Sequence, residues 1–126
     1  MATPNIVGVS DIRANTTYLT PAVTTATTWT ALTPSTNLVN RVNFISAANV
    51  TNATVTVTVS VNSAVAGGGT AYRLAYQIAV PPNSTLIVAD KTTSLYVTDS
   101  QSVVVTVGTA SSIELVASYE TITGTA

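Results

Sequence analysis

The sequence predicts an all-β domain: a single antiparallel sandwich of about eight or nine short strands, of a jelly-roll or immunoglobulin-like kind. Three observations carry this. Thr and Val dominate the 126 residues, and both are β-branched, stiff at χ1 and suited to a pleated surface. Apolar and polar residues alternate in several runs, most regularly in TVTVTVSV from Thr54 to Val61. Chain breakers recur at short intervals, at Pro21, Pro34, Asn49, Asn52, Gly67 to Gly69, Pro81, Pro82, Asp90, Asp99 and Gly108, which is the spacing of a sandwich or barrel. No segment holds an apolar period of 3.6 residues, so no substantial helix is expected.

Taken in order, residues 1–15 read as an N-terminal arm, with Ile6, Val7, Val9 and Ile12 but little alternation. Residues 16–126 read as the sandwich. Thr16–Thr20 is a short strand stopped by Pro21, and Val23–Leu32, with Trp29, makes one or two more. Leu38–Ala47 follows, with Val42 and Phe44 on one face and Arg41, Asn43 and Ile45 on the other. Asn49–Ala53 is a turn. In TVTVTVSV the four valines share a face, and a one-residue slip would bury threonines instead, so the pattern fixes the register.

Residues 62–70 contain Ala-Gly-Gly-Gly and read as a flexible hairpin tip. Neither a downstream Gly-Lys-Ser/Thr nor a helix makes them a phosphate loop. Ala71–Val80 alternates strictly, placing Tyr72, Leu74, Tyr76, Ile78 and Val80 together on a core face. Thr85–Ala89, Leu95–Thr98, Ser102–Val107 and Ile113–Ile122 complete the set. Val103-Val104-Val105 has no polar face, as in a strand covered on both sides.

Chemistry is sparse. Only 7% of residues are charged while 46% are hydrophobic, against about 25% charged in an average soluble domain. So uncharged a surface resists association weakly, which points to permanent neighbours. The four cations, Arg13, Arg41, Arg73 and Lys91, are scattered, which argues against a nucleic-acid backbone as partner. There is no histidine and no cysteine. The commonest general base and the usual zinc, copper and haem ligands are therefore missing, and no cofactor or metal is expected. Glu114 and Glu120 fall on one strand about 20 Å apart, too far for a glycosidase pair. The residues thus give no sign of an enzyme.

The N-terminus lacks the basic and apolar regions of a secretory signal, so the acceptor triplets at Asn15, Asn49, Asn52 and Asn83 are expected to stay unmodified. The uncharged interval between Arg41 and Arg73 is too rich in Asn, Thr and Ser to span a membrane.

The run from Leu86 to Ile122 adds a resemblance. Its Asp90-Lys91, Leu95-Tyr96-Val97, Asp99-Ser100-Gln101-Ser102 and Ser118-Tyr119-Glu120-Thr121-Ile122 resemble a pattern in small structural proteins of tailed bacteriophages. The segment VNRVNFISAANVTNATVTVTVSV is similar to the strand, Asn-rich turn and strand of the same group, so the likeness spans about residues 40–122. Ser100 and Gln101 stand where that pattern has a Gly.

The resemblance implies a β-sandwich virion component: a capsid decoration, or cement, protein that binds the major capsid protein and copies of itself, acting as one copy or as a trimer. A neck, tail or fibre component is the alternative. The grip expected on this reading is Ile6, Val7, Val9, Ile12 and Arg13 of the arm, with Tyr18 and Trp29 as anchors; Trp29 also suits a core plug. A carbohydrate-binding or adhesin module is the alternative of another class, and it requires Trp29 and a tyrosine exposed together.

Overall fold

In a computed structural model, the backbone is described for residues 5–125 and the side chains for residues 8–124. The described residues form nine strands: β1 (Asn5–Leu19), β2 (Thr27–Thr28), β3 (Leu38–Asn49), β4 (Val55–Asn62), β5 (Ala71–Val80), β6 (Thr85–Ala89), β7 (Leu95–Thr98), β8 (Ser102–Val107) and β9 (Ile113–Thr125). The helical content among the described residues is three single 3-10 turns, at Thr30–Leu32, Val65–Gly67 and Lys91–Thr93. All strand pairs are antiparallel.

One sheet runs β1-β9-β3-β6, with β7 pairing the N-terminal half of β3 and β6 its C-terminal half. The other runs β2-β8-β4-β5. The two pack face to face as the expected sandwich. Between them lie Val55, Val57 and Val59 of β4, Val103, Val105 and Val107 of β8, Val42, Ile45 and Ala47 of β3, and Ile113, Leu115 and Ala117 of β9.

The valine alternation of β4 thus does what its period requires. Its hydroxyl face divides: Thr56 is exposed, whereas Ser60 is buried and donates to Asn62 Oδ1 at 2.9 Å. The cover there is the 62–70 loop, which lies down on the sheet instead of standing off as a free tip. Asn62 Nδ2 donates to the Gly67 carbonyl at 2.9 Å, the Gly67 amide donates to Ser102 Oγ at 2.9 Å, and Ser102 Oγ donates to the Ala64 carbonyl at 2.7 Å. Glycine is needed at 67: φ is +77°, and a Cβ would stand 2.8 Å from Thr28 Oγ1 and 3.5 Å from Val104 Cγ2. The same loop explains the missing polar face of β8. Val103 and Val105 face the core, and Val104 is buried beneath the loop.

Two strands depart from simple alternation because they are bulged. A register shift between Val42 and Phe44 turns both Val42 and Ile45 inward, so Val42 and Phe44 do not share a face through the strand as expected. In β5, shifts lie between the Val57–Ile78 and Val59–Ala75 pairs and between the Val59–Ala75 and Ser60–Arg73 pairs. The strict alternation of this strand is broken, and Tyr72, Leu74, Tyr76 and Ile78 are exposed rather than packed in the core.

Loops are held by short polar side chains. Asn49 is buried with both ends of its amide satisfied: Nδ2 donates to the Ala53 and Val80 carbonyls, and Oδ1 accepts from the Thr51 amide and hydroxyl. The 98–101 turn needs no glycine, since the Gln101 amide reaches the Thr98 carbonyl at 3.1 Å with no positive φ between them. Buried Asp99 accepts the Asn37 amide at 2.6 Å, tying this turn to the start of β3. Asp90 caps the 91–93 turn by accepting from the Thr92 hydroxyl and from the Thr92 and Thr93 amides.

Val57→Ala is expected to cost about 2–4 kcal/mol by urea unfolding, from lost burial plus a cavity, whereas exposed Thr56→Val should change stability by no more than about 0.5 kcal/mol. The Thr92 hydroxyl, then the Thr92 amide, hold the Asp90 carboxyl below its ordinary 3.8. The turn's contribution is therefore complete above pH 3.8 and is lost as pH falls through the lower, folded-state value. An NMR titration of Asp90 should place its midpoint under 3.8, and Thr92→Val should move it up.

Candidate functional site

Sandwiches act through their edges and exposed faces, and this one has two unusual edges. β5 closes one side of the four-stranded sheet. Its Cα partners place Tyr72 opposite Val61 and Ile78 opposite Val57, on the inward side of the sheet, while Arg73 lies opposite Ser60 on the outward side. The Arg73 guanidinium sits 5.0 Å from the centre of the Tyr76 ring, as a cation–π pair. Of this bulged strand only Val80 is buried, while Tyr72 is 66% and Tyr76 57% exposed. A strand with large apolar side chains open on both faces is an unfilled contact surface.

β1 closes one side of the other sheet. Residues 5–15, expected as an arm, run without a break into the strand and pair with β9, first at Asn5–Thr125 and then regularly from Asp11–Thr123 to Leu19–Leu115. The C-terminal length of β9 supplies the ladder that holds them. The side chains of Ile6 and Val7 lie outside the described residues; their backbone is part of β1. Val9 is half-buried. Ile12 and Tyr18 are 53% and 73% exposed and lie on the outward face with Ala14 and Thr16. Arg13 Nε donates to Asp11 Oδ2 at 2.7 Å, and this ion pair raises the guanidinium pKa.

Trp29 is not an anchor for a partner. It is 2% exposed in the core; its amide donates to the Val103 carbonyl at 2.7 Å and its indole N–H to Thr17 Oγ1 at 3.4 Å, linking β8 to β1. A carbohydrate platform of Trp29 beside an exposed tyrosine is therefore not formed. The sequence hid the β5 surface because bulges leave no mark on an alternating pattern; the doubling of Tyr72 and Tyr76 on an edge is its one legible sign.

Among the described residues no three His, Cys, Asp or Glu side chains come together as metal ligands, and no helix is long and apolar enough to cross a membrane. Glu114 is exposed, and Glu120 accepts from Asn43 Nδ2 at 2.8 Å.

No family model and no curated protein matches the chain. A solved structure from the Bacillus endospore appendages, a family of disulfide-linked pili, is similar in fold: TM-score 0.53 and 17% identity, over 100% of this chain and 98% of that one. At that identity the likeness speaks for the fold. It corrects the expectation of a bacteriophage capsid decoration protein bound to the major capsid protein in a virion, and with it the neck, tail or fibre alternative. The structure that shares the fold end to end is a bacterial appendage protein, not a phage protein.

Trp29 is the sole tryptophan, so its burial is directly measurable. Native fluorescence should be blue-shifted from that of the unfolded chain and resist acrylamide quenching, and Trp29→Ala should cost about 3–5 kcal/mol.

Proposed function

We propose that this chain is a structural subunit that joins copies of itself into an appendage-type assembly, acting through surface contacts rather than catalysis. The observation that carries it is β5: Tyr72, Leu74, Tyr76 and Ile78 all stand exposed on one bulged edge strand. In a chain of four basic and five acidic residues, little charge opposes self-contact across such a surface. A second copy suits it better than a charged ligand, because β5 carries only Arg73, already drawn over Tyr76. The fold shared with a pilus protein supports the same reading.

The pili of that neighbour are disulfide-linked, and this chain has no cysteine. Its assembly would hold without disulfides. A stable contact removes about 1,200 Å² or more from water in total, and repetition along a polymer adds strength without new contact types.

Sedimentation and negative-stain microscopy of the purified chain should reveal oligomers or filaments that grow with concentration and are unaffected by reductant. Paired Tyr72→Ser and Tyr76→Ser substitutions should shift the population toward monomer while leaving the unfolding midpoint nearly unchanged, since both side chains are exposed. A strict monomer at every soluble concentration would sink the proposal.

A further inference from the structure

Resting on the self-association reading, we infer that β1 is a second contact surface and that it pairs edge to edge, antiparallel, with β1 of another copy about a two-fold axis through Asn15. Of the sheet edges, β1 offers the longest regular ladder: nine consecutive Cα pairs with β9, from Asp11–Thr123 to Leu19–Leu115, without a register shift. Its other side has no strand partner among the described residues. Proteins guard such edges with proline, bulges, short strands or a bare charge. Residues 11–19 have no proline and no bulge, and their two charges, Asp11 and Arg13, neutralise each other. β5 is the contrast. Two register shifts and a positive φ at Gln77 break it, and the Gln77 amide is already spent on Thr58 Oγ1, so it offers faces rather than a ladder.

The occupant follows from symmetry and charge. Pairing that keeps both sandwich bodies on the same side of a joined sheet must match residues of like parity, so the axis passes through a residue. Centred on Asn15, the match sets Ile12 opposite the partner's Tyr18, Ala14 opposite the partner's Thr16, Arg13 opposite the partner's Thr17 and Asp11 opposite the partner's Leu19. Both exposed apolar side chains of the strand gain an apolar or aromatic neighbour, and no charge meets its like. Centring on Arg13 would set the two guanidinium groups against each other, and centring on Ala14 or Thr16 would separate Ile12 from Tyr18. Residues 10–16 are exposed on both faces of the strand, so the second sheet does not overhang them and the partner's body has room. A two-fold contact alone closes into a dimer; together with a contact through β5 it extends into a polymer.

The chain has no cysteine, so a single introduced thiol reports its own surroundings. Directly opposed residues of an antiparallel pair have Cα atoms about 4.5–5.5 Å apart, within reach of a disulfide. Under copper-phenanthroline oxidation, Asn15→Cys should cross-link to dimer at least about tenfold faster than the exposed control Ser100→Cys, because its two thiols are held within bonding distance. Ile12→Cys and Tyr18→Cys should each stay slow alone and cross-link rapidly when mixed. Oligomers seen by sedimentation in which Asn15→Cys reacts no faster than Ser100→Cys would overturn this pairing and leave self-association standing. A monomer at every concentration would overturn both.

Discussion

Everything in this molecule hangs on the burial of a few β-branched side chains between two pleated sheets, with no covalent staple to help. Val55, Val57 and Val59 of β4 meet Val42, Ile45 and Ala47 of β3 and Ile113, Leu115 and Ala117 of β9 across that gap. Each buried valine contributes roughly 1.5–3 kcal/mol relative to exposure. A chain of this length can bury about two thirds of its extended surface, so such a core suffices. Because the side-chain period is two, the same valines that supply stability also set the register.

What the core does not use becomes surface, and the surface is unusual in chemistry rather than in shape. Most of the buried polar side chains are Asn and Ser, with Asp99 the charged exception. Asn49, Asn62 and Ser102 hold loops to sheets, and Asn40 links the Leu32 carbonyl to the Thr121 hydroxyl. Neutral amides and hydroxyls form such bonds without the desolvation cost of buried ions. The outer surface is left nearly free of the charges that keep proteins apart.

On that background the two edge strands are complementary in kind. β5 is bulged and aromatic, and it presents side chains. β1 is regular over residues 11–19, and it presents backbone. Trp29 lies between the two sheets and bonds to both β8 and β1. It thus ties the regular edge to the core.

The alternation of β4, the turn residues around each strand and the run of three valines in β8 were enough to specify an all-β sandwich, because period and punctuation are local properties. The bounds of β5, β6, β7 and β8 were legible for the same reason. Tertiary structure decided what local pattern does not encode. Bulges in β3 and β5 reversed faces that strict alternation had assigned, since one extra residue shifts every later side chain. A glycine triplet that reads as a loose tip became the cover of Val104, because only packing shows what lies beneath a loop. An N-terminal stretch with little alternation became a sheet edge, because its partner, the end of β9, lies more than a hundred residues away in sequence. Trp29 went inside for a like reason: the sites that receive its two N–H groups, on β8 and β1, meet only when the sheets close.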